Sequence, residues 1–144
     1  MKQSPRYPDL YVLKYNRKAF FNNLWTEELE QCRGLVVDKD FNVVVRPFRK
    51  IFNYMENGTT FDRDAMVTYT RKVNGFLGCL TFSEKYGTIY STTGSLDSDY
   101  AEIVKYSLEP FVDDFIKDRN YGRTYCFEIH WQATNFVYET GGFL

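Results

Sequence analysis

Short apolar runs separated by turn residues constrain the fold of this chain more than any other sequence feature. The runs are rich in Val, Ile, Tyr and Phe, which is typical of β-strands. Tight turns are predicted at residues 38–41, 74–75 and 84–87, and such turns join antiparallel neighbours. We therefore predict an α+β fold built on largely antiparallel sheets. The predicted strands are residues 11–15, 34–38, 42–46, 66–73, 76–82, 88–92 and 123–131.

Helical periodicity is strongest over residues 98–118, where apolar residues recur at a spacing near 3.6. Ser98 is the predicted N-cap, and Pro110 is expected to kink this helix or to divide it in two. We expect its apolar face to pack on one sheet. Residues 18–31 are predicted to form one or two helical turns, with Thr26 as an N-cap.

The length and charge of the chain exclude several classes of protein. A chain of 144 residues is the size of one domain, and 18 basic against 19 acidic residues give a net charge of −1. This balance excludes a uniformly basic nucleic-acid-binding surface but allows a local basic patch. Aromatic residues make up 19% of the chain. They are explained either by a strand-rich core or by platforms on which bases stack, and both explanations stay open.

Cysteine and histidine are too few and too scattered for most metal or disulfide sites. Cys32, Cys79 and Cys126 form no CxxC pair, so neither a disulfide framework nor a structural zinc site is predicted. His130 is the one histidine, and a metal would have to be a hard cation bound to carboxylates. No secretory signal and no apolar run of membrane-spanning length is found, which predicts a cytoplasmic protein without a membrane partner.

The segment from Lys72 to Gly75 (KVNG) is the most informative for chemistry. A lysine next to a tight turn can project into a cleft, and it becomes a nucleophile when burial or cationic neighbours favour the neutral amine. Attack on a nucleotide phosphate also needs cations to neutralise charge. The candidates are Arg33, Arg46, Arg49, Lys50 and Arg71. The alternative is an ordinary hairpin turn that follows a surface lysine.

Five segments in order make the pattern more specific than KVNG alone. They are CRG at 32–34, RPFRKIFNY at 46–54, KVNG at 72–75, GS-x-x-SD at 94–99, and FEIH followed by TNFVY within 127–138. In this order and spacing the chain resembles the covalent nucleotidyltransferases. The resemblance is to the phage-type ATP-dependent tRNA-repair RNA ligases and the related ligase domain of fungal tRNA ligases. It runs from about Tyr11 to the last residue.

The resemblance implies an RNA ligase that works through a lysyl-AMP intermediate. Residues 1–144 would form the N-terminal part of an antiparallel-sheet, ATP-grasp-like nucleotidyltransferase domain, using ATP and Mg²⁺. The partner would be a tRNA-like RNA with 5′-phosphate and 3′-OH ends, in the cytoplasm, or in the host cytoplasm if the protein is viral. Lys72 matches the lysine that becomes adenylylated. Arg33 and Lys50 match basic residues that contact the ATP phosphates or the adenylate.

The remaining site residues are implied by the same resemblance. Phe52 matches an aromatic near the nucleotide, and Gly75 allows close backbone approach. Glu128 matches a strand acid at the nucleotide site, where it would contact the ribose or the metal. Ser95 lies in the GS segment. The alternative for Phe52 and Ser95 is that they simply pack and cap.

The chain departs from the family pattern in three places. Asn74 stands where the family usually has Asp, as in the fungal-type enzymes, and Thr93 stands where phage enzymes often carry a basic residue. No Lys or Arg follows Arg123, and by the resemblance we expect the chain to lack the family's later acidic metal ligand, later lysine pair and C-terminal RNA-binding domain. We expect a truncated domain that is weak or inactive alone, with an open edge at residues 136–144 that a second chain covers.

Two further functions compete with the ligase. One is a non-catalytic nucleotide- or RNA-binding remnant of such an enzyme. The other is a structural domain whose basic segments are scattered over the surface. The ligase and the remnant both predict that Arg33, Lys50, Lys72 and Glu128 converge on one cleft.

Overall fold

The computed structural model describes residues 1–116 and 121–130. Within them the chain forms two antiparallel sheets and short helices, which confirms the α+β class. The first sheet has the order β1-β2-β3-β4 and carries two helices between its second and third strands. Its elements are β1 (Lys2–Gln3), β2 (Leu10–Lys14), α1 (Arg17–Phe21), α2 (Glu27–Gln31), β3 (Arg33–Asp38) and β4 (Val43–Val45).

Side-chain caps and a tight turn shape this first half. The Thr26 hydroxyl accepts a hydrogen bond from Leu29 N and caps α2, as predicted. Between β3 and β4, the Asp38 carboxylate accepts bonds from the backbone N–H groups of Asp40 and Asn42, both at 2.9 Å. The side-chain amide of Asn42 also donates to Asp38, and these bonds lower the pKa of its carboxyl. The predicted turn at 38–41 is confirmed.

The second sheet has the order β6-β5-β7, and the longest helix of the described residues lies between β6 and β7 along the chain. Ser98 caps α3 by accepting from Ala101 N, and Pro110 lies in a 3₁₀ turn that separates α3 from α4. The division at Pro110 is therefore confirmed. The elements are β5 (Phe76–Ser83), β6 (Gly87–Thr92), α3 (Asp99–Leu108), α4 (Val112–Ile116) and β7 (Thr124–Ile129).

Two apolar clusters hold these layers together. The first lies between the sheets and includes Leu10, Val36, Val45 and Ile89. The second lies under α3 and confirms that the apolar face of this helix packs on one sheet. It contains Leu80, Phe82, Tyr90, Val104, Leu108, Phe127 and Ile129. None of the helices in the described part of the chain is long and apolar enough to cross a membrane.

The strand predicted over residues 66–73 is wrong. These residues form no regular structure, and Met66 and Tyr69 are 100% and 92% exposed. The predicted turn at Asn74-Gly75 would have paired this strand with β5. However, β5 already has β6 on one side and β7 on the other, so no edge is left for it. The predicted strand pair over residues 135–144, with its open edge, lies outside the described residues.

Candidate functional site

Two of the sequence segments meet at one end of the second sheet. The backbone N–H of Gly75, in KVNG, donates to Glu128 Oε1, in FEIH, at 2.8 Å. Fifty-three residues of sequence separate the two partners. Lys72 Nζ donates to Asn74 Oδ1 at 3.1 Å. The Lys72 amine is thus connected to the Glu128 carboxylate in three steps. These are its hydrogen bond to Asn74, the peptide bond between Asn74 and Gly75, and the hydrogen bond from Gly75 N to Glu128.

Gly75 is required sterically at this meeting point. A Cβ built on Gly75 would lie 2.2 Å from the Ile129 carbonyl oxygen and 2.8 Å from its carbon. No real side chain tolerates contacts this short with backbone atoms. The close approach predicted for Gly75 is therefore an approach to β7, which seats the KVNG segment beside Glu128.

Lys72 itself is exposed. Of the two conditions that favour a neutral lysine amine, burial is therefore not met in the structure. The side-chain oxygen of Asn74 accepts the hydrogen bond from Lys72 Nζ and so orients the lysine side chain.

The positive charge of Arg33 reaches the face of the second sheet that carries Glu128. The side chains of Thr124, Cys126 and Glu128 alternate onto one face of β7. Cys126 lies opposite Cys79 of β5, with the two sulfurs 3.9 Å apart. The positive charge of Arg33 acts on both thiols. Arg33 and Glu128 therefore border the same pair of cysteines.

The RPFRK segment runs along this face toward Glu128. Arg46 N donates to Thr124 Oγ1 at 2.9 Å. The Phe48 backbone hydrogen-bonds the thiol of Cys126, two residues further along β7. Both contacts step in the same direction, so the segment follows β7 from Thr124 to Cys126, and the backbone N–H of Lys50 beyond it donates to the Glu30 carbonyl oxygen.

Lys50 lies in an aromatic cluster that the sequence analysis did not predict. Its ammonium is 4.4 Å from the ring centroid of Phe52 and 5.7 Å from that of Trp25. It also lies 3.7 Å from Glu56 Oε1, and its side chain is only 13% exposed. Phe52 packs edge-to-face on Trp25. Phe52 thus has a packing role, and Lys50 would have to exchange Glu56 for a phosphate in order to bind a nucleotide.

A cleft of about 280 Å³ is lined in part by Phe76 and Leu77, the two residues of β5 that follow Gly75. Leu77, which pairs with Glu128 across β5 and β7, forms part of its wall. Ser95 also lines it, but the Ser95 hydroxyl is buried and accepts from Asp97 N at 3.0 Å, which is the predicted capping alternative. Lys14 lines the same cleft and was missed, because a strand-end lysine carries no distinguishing sequence signal.

The cysteine pair permits a test of this electrostatic environment. The hydrogen bond from Cys79 lowers the pKa of Cys126, and the Phe48 backbone and Arg33 act in the same direction against burial. The same bond raises the pKa of Cys79, and burial raises that of Cys32. Because the thiolate reacts, we expect iodoacetamide to modify Cys126 at lower pH than Cys32. Fully buried Cys79 should react last. Peptide mass mapping across a pH series measures this order, and earlier modification of Cys32 would contradict it.

The described residues contain no group of three His, Cys, Asp or Glu side chains placed to hold a metal ion. Glu128 stands alone among the predicted metal ligands, and one of its oxygens already accepts from Gly75. Mg²⁺ commonly binds proteins through one or two carboxylates together with substrate phosphates. A single carboxylate is thus compatible with an ion held mainly by a bound nucleotide.

None of the four residues expected to converge on one cleft lines the cleft described above. Lys72 is linked to Glu128 through Asn74 and Gly75, and the charge of Arg33 reaches the two thiols on the sheet face that carries Glu128. Lys50 is held in the aromatic cluster instead. Comparison of the chain with family models, with curated proteins and with solved structures gives no match.

Proposed function

We propose that this chain carries the adenylylation site of an ATP-dependent RNA ligase. One observation carries the proposal. Residues of KVNG and FEIH are in direct contact through Gly75 and Glu128, with the Lys72 amine oriented by Asn74 beside them. A nucleophilic amine, a nearby carboxylate and a set of arginine and lysine side chains are the groups that phosphoryl transfer from ATP requires.

The proposed reaction has three steps. The neutral Lys72 amine attacks the α-phosphorus of ATP, so that an N–P bond forms, pyrophosphate leaves and the amine loses a proton. The 5′-phosphate of an RNA then attacks the same phosphorus, which releases Lys72 and leaves AMP on the RNA end. Finally, a 3′-OH attacks the RNA phosphate, joins the strands and expels AMP. Each step transfers a phosphorus centre from one nucleophile to another.

The other side chains serve charge and position in this proposal. Arg33 borders the face that holds Glu128, so it would stabilise phosphate charge there. Lys50 would join it by exchanging the Glu56 carboxylate for a phosphate. Glu128 would contact the ribose or, with the ATP phosphates, Mg²⁺. That ion would supply further neutralisation of the triphosphate.

The second candidate is a non-catalytic nucleotide- or RNA-binding remnant of such an enzyme. Two observations favour it. Lys72 is exposed, and Lys50 already has a carboxylate partner. Neither of these arrangements prevents binding of a nucleotide, but both reduce the preorganisation on which a chemical step depends.

Covalent labelling and ligand binding, measured on the same protein, separate these functions. The chain is incubated with Mg²⁺ and ATP labelled at the α-phosphate, and ATP binding is followed by calorimetry. We expect ATP to bind and a slowly accumulating label to survive denaturation, with tryptic mass mapping placing AMP on Lys72. Binding without any label after prolonged incubation would support the remnant. Absence of both binding and label would eliminate both candidates.

A further inference from the structure

The cleft that Phe76 and Leu77 line has one charged side chain among its lining residues, and that side chain is Lys14. Lys14 is the last residue of β2 and is exposed. Its Nζ lies 3.5 Å from the point where a Cβ of Gly94 would be. Because Gly94 has no side chain, no Cβ lies in contact with the ammonium on this side.

No carboxylate within residues 1–116 and 121–130 forms an ion pair with Lys14. This distinguishes Lys14 from Lys50, whose ammonium already lies close to Glu56. Arg33 is the residue opposite Lys14 in the pairing of β2 with β3, so two cations lie side by side at this end of the sheet. The positive charge at the cleft is therefore available to an anion from solution.

The remaining walls of the cleft divide into two kinds of surface. One is aromatic and apolar, where Phe76 and Tyr100 pack edge-to-face with ring centroids 5.0 Å apart. The other carries Lys14 and Thr93, together with Thr92, whose hydroxyl donates to the Ser95 carbonyl oxygen at 3.3 Å. A ligand that suits both surfaces has a planar apolar part and an anionic part, and a nucleotide has both.

We propose that Lys14 binds a phosphate group of a nucleotide in this cleft. The inference rests on the proposed function for the identity of the ligand, but its evidence is the geometry of Lys14 and Gly94. The phosphate belongs either to ATP or to the 5′ end of an RNA. Both sources offer the same chemistry to an ammonium, and one residue of the cleft wall, Leu77, is the strand partner of Glu128.

The test compares Lys14→Gln with Lys39→Gln, a matched exposed lysine in the β3–β4 turn of the same sheet. Binding is measured for ATP against adenosine, and for a short RNA with a 5′-phosphate against the same RNA with a 5′-OH. We expect Lys14→Gln to weaken one phosphorylated ligand about tenfold and to spare its unphosphorylated counterpart. For that ligand, the slope of log K against log salt concentration should be smaller by about one unit in Lys14→Gln than in the wild type. The ligand that responds identifies the source of the phosphate.

Two further readouts keep this test decisive. The amide resonance of Gly94 should shift when the phosphorylated ligand is added to the wild type, and this shift should be lost in Lys14→Gln. If both variants melt at the temperature of the wild type, their fold is intact. The proposal is overturned if Lys14→Gln and Lys39→Gln bind every ligand alike, even where Lys72 is labelled normally. Conversely, Lys14-dependent binding without any Lys72 label retains this site and removes the ligase.

Discussion

Lys72→Arg is expected to abolish the protein–AMP adduct and to leave ATP binding close to that of the wild type. Arginine keeps the positive charge, but its guanidinium stays protonated in proteins and supplies no lone pair for attack on phosphorus. Lys72 is exposed and its hydrogen bond is to Asn74, so the variant should fold with a stability change of about 0.5 kcal/mol or less. The measurement is the label retained on a denaturing gel, together with calorimetry of ATP binding.

A matched control is the double variant Arg71→Lys, Lys72→Arg, which exchanges the order of the two residues. The composition and the net charge of this variant equal those of the wild type, but the amine is moved by one residue. Asn74 then has no lysine two positions before it, so we expect no label. Normal labelling of this variant would contradict a role for Lys72 held by Asn74. Labelling of Lys72→Arg alone would show that another residue is the nucleophile.

Local sequence chemistry predicted the elements of the fold well where each element depends on its own residues. The caps at Thr26 and Ser98, the break at Pro110 and the turn closed by Asp38 all require partners within a few residues. The strand at residues 66–73 failed because pairing depends on which neighbour occupies each edge of β5. Alternation of apolar residues describes one strand and carries no information about its competitors.

The candidate site shows the same division. Glu128 and Gly75 were both identified as site residues, but only the folded chain shows that one accepts a hydrogen bond from the other. Lys50 was identified by its basic character, whereas its engagement with Glu56, Phe52 and Trp25 depends on how the segment folds back on α2. The backbone N–H of Lys50 donates to the Glu30 carbonyl at 2.7 Å, which fixes that fold. Contacts between residues that are close in space but distant in sequence cannot be predicted from any single residue of the chain.

The two sheets are brought together at the site by a glycine in the CRG segment. Lys14 pairs with Arg33, and Leu13 pairs with Leu35, so Gly34 is the extra residue of a β-bulge in β3. Its φ of +91° is one that residues with a Cβ rarely adopt. A β-bulge redirects neighbouring side chains, and this bulge lies directly after Arg33 in β3. Gly34 also rests directly on the end of β6, beside the cleft that Lys14 lines.

Gly34→Ala is therefore expected to destabilise the protein more than alanine at any other glycine with a positive φ in the described residues. A Cβ at Gly34 would lie 2.7 Å from Thr93 Cα and 2.9 Å from the Thr92 carbonyl oxygen. These are backbone atoms of a paired strand and the loop after it, so they cannot rotate away. The left-handed backbone costs about 1–2 kcal/mol, and forced displacement in a packed region adds about 1–3 kcal/mol. Thermal and urea unfolding measure the total.

Gly87→Ala provides the control that separates the two contributions. Gly87 has φ +71° and lies at the start of β6, but a Cβ there would meet nothing within 4 Å. The free energy of unfolding of this variant should thus fall only by the cost of the left-handed backbone, about 1–2 kcal/mol. The difference between the two variants isolates the contact of Gly34 with Thr92 and Thr93. If Gly34→Ala unfolds at the same urea concentration as Gly87→Ala, the close contact between β3 and the end of β6 does not hold the sheets together. In that case Arg33 and Lys14 would have to be positioned by the pairing of β2 with β3 alone.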